Sequence, residues 1–137
     1  MPAKDTYHDA LCRALVKDGW TITDDPFRLV WGKRDFYVDL GAERVVAAEK
    51  AGKRIAVEVK SFLGDSQMRD LEVALGQFLL YRSILEEQEP DRVLFLAIPD
   101  EAADVLGEPV GQLLIAKQLI QAMVFDPQKE EILRWIP

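Results

Sequence analysis

The chain has 137 residues, 49% of them apolar and 30% charged, with a formal net charge of −7 and a single cysteine. That is the length of one domain, here expected to span 1–137 and to bury a proper core, and the composition excludes an intrinsically disordered chain. No apolar run reaches the ~18–20 residues that a membrane helix requires, Cys12 alone excludes an internal disulfide, and the expected compartment is the cytoplasm.

The charge is unevenly spread. Between Arg28 and Arg69 nine Lys/Arg stand against six Asp/Glu, a local balance of +3, while the remainder carries eight against eighteen, or −10. The net charge argues against a protein held on nucleic acid by bulk electrostatics alone. A basic centre with acidic flanks is compatible with a focused phosphate contact.

Taken in order, Tyr7, Ala10, Leu11, Ala14 and Leu15 repeat at helical spacing behind Asp5 and ahead of Gly19, which predicts a helix from Thr6 to about Asp18. Trp20 to Thr23 reads as a short strand, and Asp24-Asp25-Pro26 as a turn. Arg28–Trp31 and Phe36–Leu40 are expected to be extended, about a charged Gly32–Asp35 turn. Glu43–Lys50 and Lys53–Lys60 predict a hairpin about Ala51-Gly52. A two-residue turn sets Glu43 opposite Lys60 and Val45 opposite Glu58. Gly64-Asp65-Ser66 then opens a long helix to about Glu87, with Leu71, Leu75, Phe78 and Leu85 on its buried side and Pro90 beyond its end. Arg92–Ile98 is almost wholly apolar, as a strand covered on both faces beside a parallel neighbour would be. Short helices at Asp100–Leu106 and Val110–Lys117 precede a terminal hairpin, Leu119–Phe125 and Glu130–Ile136. No repeat, P-loop or zinc spacing occurs. This order predicts an α/β fold with a mixed sheet.

The second strand of the central hairpin holds an anomaly. Successive side chains of a strand point to opposite faces, so Ile55, Val57 and Val59 share one face and Ala56, Glu58 and Lys60 the other. A carboxylate and an ammonium thus stand side by side on an otherwise buried strand. Desolvating two such charges is costly unless they are paired or bound to something.

An Asp on one strand and Glu-x-Lys on the next is what a magnesium-dependent phosphodiesterase site needs. Two carboxylates, here Asp39 and Glu58, make a hard-oxygen site for Mg²⁺, or for Mn²⁺ in its place. The metal activates water and neutralises phosphate charge, and Lys60 orients that water and stabilises the developing charge. Asp39 lies nineteen residues before Glu58, with Gly41 to supply the bend between them.

Asp39 followed by Glu58-Val59-Lys60 resembles the PD-(D/E)xK pattern of restriction-endonuclease-like nucleases, with Val38-Asp39 standing where the family has Pro-Asp. Gln77 and Tyr81 on the following helix are similar to the Gln-x-x-x-Tyr motif of the RecB-like branch, and a four-residue spacing puts both on one helix face. Over nearly the whole chain a closer resemblance holds. Lys4-Asp5-x-Tyr7-His8, Lys17 to Pro26, Val38 to Glu43, Ile55 to Phe62 and Phe125-Asp126 to Trp135-Ile136 look like the XisH family of controlling factors for excision of the cyanobacterial fdxN element during heterocyst differentiation. That resemblance implies a cytoplasmic accessory factor acting on DNA with a site-specific recombinase and an XisI-like protein. The implied core is a restriction-endonuclease-like mixed β-sheet flanked by helices, with a C-terminal β-hairpin. The nuclease-like pattern implies Mg²⁺-dependent DNA cleavage by Asp39, Glu58, Lys60, Gln77 and Tyr81, and His8 and Lys53 are further candidates for phosphate contact.

Plainer readings stand beside these. Glu58 and Lys60 make an ion pair in many strands, and Glu43 is placed to neutralise Lys60. His8 reads equally as a packing residue, Lys53 as a turn charge, Cys12 as a small buried side chain, and Gln77 and Tyr81 as residues at the core edge. A non-catalytic subunit that binds an XisI-like partner and directs a recombinase is the alternative function, a toxin-like nuclease a third. The terminal hairpin offers an edge for self-association.

Overall fold

A computed structural model describes residues 4–36, 45–62 and 64–137. Helix α1 (Lys4–Lys17) is followed by β1 (Thr21–Asp24), a small ribbon of β2 (Val30–Trp31) and β3 (Arg34–Asp35), and the central hairpin of β4 (Val45–Lys50) and β5 (Lys53–Val59). The long helix α2 (Gln67–Gln88) leads to β6 (Arg92–Pro99). A 3₁₀ turn (Asp100–Ala102), α3 (Asp104–Gly107) and α4 (Pro109–Ala116) lead on to β7 (Ala122–Asp126) and β8 (Glu131–Ile136).

The main sheet has six strands in the order β1-β4-β5-β6-β7-β8. Its centre, β5-β6-β7, is parallel, and its flanks β1-β4, β4-β5 and β7-β8 are antiparallel. This is the expected mixed α/β sheet flanked by helices with C-terminal strands. The apolar β6 lies between two parallel neighbours, which explains why its residues from Leu94 to Pro99 are all buried.

Local signals set the boundaries. Gly19, at φ +93°, closes α1 while the Trp20 amide donates to the Leu15 carbonyl at 3.0 Å and the Gly19 amide to Val16 at 3.0 Å. This double bond caps the orphan carbonyls of the last turn. Trp20 is thereby drawn into the helix end, and β1 begins at Thr21 instead. Ser66 caps α2, its hydroxyl accepting from the Arg69 amide at 3.2 Å. Ala51 and Gly52, at φ 51° and 82°, form the tight β4–β5 turn. Val45 consequently pairs with Glu58 as the two-residue turn requires. At the C-terminal hairpin the first strand starts later than Leu119, because the Leu119 amide is still bonded to Leu114 at the end of α4. Of the extended segment expected at Phe36–Leu40, residues 37–40 lie outside the described residues, as do Asp39 and Glu43.

Each face of the sheet carries its own apolar layer. On one, α1 packs Tyr7, Ala10, Leu11 and Leu15 against Ile55, Val57, Val59, Phe95 and Phe125. On the other, α2 packs Leu71, Ala74, Phe78 and Tyr81 with Ala56, Leu94, Leu96 and residues of α3. Gly111 permits the close approach of α3 and α4: a Cβ there would stand 2.4 Å from the Val105 carbonyl oxygen.

Candidate functional site

The period-two alternation along β5 puts Glu58 and Lys60 on the α2 side. Glu58 is fully buried and Lys60 is 8% exposed. The Lys60 ammonium lies 3.6 Å from Glu58 Oε2 and donates to Gln77 Oε1 on α2. Tyr81, one turn further along α2, is buried beside them. Burial and then the Glu58 charge push its phenol well above the usual tyrosine range. Phe36 stacks edge-on against the Tyr81 ring, with centroids 6.3 Å apart. Glu58, Lys60, Gln77 and Tyr81, widely separated in sequence, are therefore brought together at the end of β5.

The backbone reinforces this placement. The Lys60 amide donates to the Ala97 carbonyl at 3.0 Å, extending the parallel ladder past the formal end of β5. Two residues later Phe62 adopts φ +55°, an uncommon conformation for a bulky side chain, and turns the chain out of the sheet. Gly64 then accepts the close approach of Asp70, whose Oδ2 receives its amide hydrogen bond at 3.1 Å, and α2 begins.

The donor set fits half of a hard-cation site. Glu58 supplies a buried carboxylate and Lys60 the adjacent positive charge, whereas Asp39, the second predicted carboxylate, is outside the described residues.

The two predicted phosphate contacts lie elsewhere. Lys53 stands beside the hairpin turn, five residues and roughly 17 Å along the strand from Glu58. There it lines a cavity of about 610 Å³ with Trp20, Lys50, Arg54 and Trp135. His8 belongs to α1, which packs against the other face of β5. Its Nε2 lies 2.8 Å from Asp25 Oδ2, so its carboxylate neighbour is Asp25. Neither residue adjoins the Glu58 cluster.

A family model described as XisH protein matches residues 1–133. The chain belongs to the XisH family. It is similar to the crystal structure of an XisH family protein from Nostoc punctiforme PCC 73102, with 36% identity, a TM-score of 0.87, and 97% of this chain and 100% of the other covered. It is also similar to a fdxN element excision controlling factor protein from Anabaena variabilis, with 38% identity, a TM-score of 0.87, and coverage of 97% and 99%. A search among curated proteins gave no significant match. Together these matches make the six-stranded mixed sheet the fold of this XisH chain.

Sequence reading missed a second cluster in this XisH protein. Cys12 is half-buried, with its Sγ 3.7 Å from His8 Nε2 and 3.9 Å from Asp25 Oδ2. It is thus no simple apolar filler. Burial, followed by the Asp25 charge, pushes its thiol up to about 12. The i, i+4 spacing of His8 and Cys12 was the available signal. Asp25 joins them only through the reversal of the chain after β1.

Proposed function

We propose that this XisH protein is a controlling factor for programmed excision of a DNA element, built on a restriction-endonuclease-like scaffold whose Glu58 cluster is a phosphodiester-cleaving site. The observation that carries this reading is the fully buried Glu58 with Lys60 and Gln77 beside it on one strand end. Stability alone gives no reason for it: an apolar pair of similar volume would serve the core as well or better.

In this reading Glu58 and Asp39 would hold Mg²⁺ or Mn²⁺, which when bound supplies an activated water and neutralises phosphate charge. Lys60 orients the attacking water and offsets charge developing on phosphate oxygen. Gln77 accepts from the Lys60 ammonium and fixes its direction. Tyr81 stays neutral at physiological pH and walls the pocket. The XisH relative named for fdxN element excision supports a DNA element as the target; a recombinase and an XisI-like protein are the partners that the family resemblance implies.

A nicking and cleavage assay on supercoiled, linear and single-stranded DNA with Mg²⁺ or Mn²⁺ tests this directly. Wild type is expected to cut, while Glu58→Ala and Lys60→Ala each lose at least about a hundredfold in rate. Absence of metal-dependent cleavage of every DNA form rejects the catalytic reading.

The net charge of −7 favours a second reading, a non-catalytic subunit whose acidic surface suits a protein partner better than bare DNA. Co-purification with an XisI-like protein at fixed ratio, unchanged by Glu58→Ala and without cleavage, would select it.

A further inference from the structure

His8, Cys12 and Asp25 form a cluster independent of the Glu58 site, on the opposite side of the sheet. Their three donor atoms lie within 4.8 Å of one another. What distinguishes the cluster from an ordinary hydrogen-bonded trio is that all three atoms converge on one point. Asp25 Oδ2 and Cys12 Sγ both approach the same ring nitrogen, Nε2 of His8, at 2.8 and 3.7 Å. A nucleophile–base–carboxylate relay would use opposite nitrogens of the ring, so this is not one. The Cys12 thiol also donates towards Asp25 Oδ2, at a long 3.9 Å, so each of the three donor atoms faces the other two.

We propose that His8, Cys12 and Asp25 bind a zinc ion. Tetrahedral zinc with bonds of about 2.0–2.3 Å to N, O and S holds its donors roughly 3.4–3.6 Å apart. The Sγ–Nε2 separation of 3.7 Å and the Sγ–Oδ2 separation of 3.9 Å exceed that spacing by only a few tenths of an ångström. The His8–Asp25 contact has only to open by about half an ångström from its hydrogen-bonded length, a movement the partly exposed Asp25 side chain, 30% accessible, can make. Imidazole, thiolate and carboxylate together suit a borderline-soft ion such as Zn²⁺ and disfavour Mg²⁺, which takes oxygen ligands. Binding displaces the Cys12 proton. His8 is anchored in the core, whereas Cys12 and Asp25 reach solvent, leaving a fourth position for water. The ion would staple α1 to the turn after β1.

The test is a Co²⁺ titration of the full-length, reduced protein, followed by its sulfur-to-metal charge-transfer absorption in the near ultraviolet and by Zn²⁺ displacement of that band. The expected result is one thiolate-coordinated equivalent per chain, displaced by Zn²⁺, with thermal stability rising as metal is added. Cys12→Ala should abolish the band, His8→Asn and Asp25→Asn should weaken binding at least about tenfold, and Glu58→Ala should leave the band unchanged. Circular dichroism on each variant separates lost binding from lost fold. Absence of a thiolate band in folded wild type overturns the proposal, as does a band that titrates with wild-type affinity in folded His8→Asn and Asp25→Asn alike.

Discussion

The two faces of β5 are equally buried and chemically opposite. Towards α1 the strand presents Ile55, Val57 and Val59, an unbroken apolar row closed by Leu11 and Leu15. Towards α2 it presents Ala56, Glu58 and Lys60, with Gln77 and Tyr81 above them. The same backbone, shifted by one residue, thus carries an apolar row and a row whose ion pair is costly to desolvate. The proposed function supplies a reason for the second row that stability does not, since a well-packed apolar pair would serve the core as well.

That contrast can be broken on the apolar side first. Val57→Asp places a carboxylate in the layer under α1, where nothing among the described residues compensates it. The expected loss is on the order of 4 kcal/mol or more, enough to unfold most of the chain, as urea denaturation would register. A mild effect there would mean that the α1 face tolerates charge as the α2 face does.

On the charged side, Lys60→Met removes the ammonium 3.6 Å from a fully buried carboxylate. Stability should fall by about 3–5 kcal/mol, whereas Glu58→Leu combined with Lys60→Met should be neutral or gain roughly 1–4 kcal/mol. Comparing the single and double variants by urea unfolding sharpens the functional reading, because recovered stability without recovered function is the signature of a site. If the double variant is less stable than the single one, the pair is structural.

A smaller change follows from Gln77→Leu, which deletes the acceptor for Lys60. About 1 kcal/mol of stability is expected to go with that hydrogen bond, and a larger fractional loss of any cleavage activity.

An effect confined to alkaline pH belongs to the α1 face. The hydrogen bond that Tyr7 donates to Glu101 at 2.6 Å, more than burial, raises its phenol to about 12. A raised folded-state pKa means that the folded chain holds the proton longer than the unfolded chain. The resulting stability is complete below pH ~10, the unfolded value, and is lost as pH rises towards 12. Tyr7→Phe should flatten the alkaline limb of the stability–pH curve; an unchanged limb would show that Tyr7 does not set it.

Much of this contrast is legible in the sequence, since period-two alternation from Lys53 to Lys60 assigns every β5 side chain to a face, and the tight Ala51-Gly52 turn fixes Val45 opposite Glu58. The α2 motif was legible too, because a four-residue helical spacing is rigid. What could not be read were contacts made by chain reversals. Asp25 meets His8 from seventeen residues away, where the path after β1 depends on tertiary packing. Likewise Arg54, a turn charge by position, is paired with Glu49 and Glu89, and Arg92 donates to Glu89 and to the Ile55 carbonyl at 2.9 Å. That network joins strand ends to the helix terminus, a geometry no local pattern encodes.

Calorimetric titration of Mn²⁺ into wild type and Glu58→Gln, at fixed ionic strength, tests most directly whether the charged face is a site. A binding event present in wild type, absent in Glu58→Gln and retained in Cys12→Ala is the predicted result. Identical isotherms for wild type and Glu58→Gln, in chains of equal folded content, would contradict it.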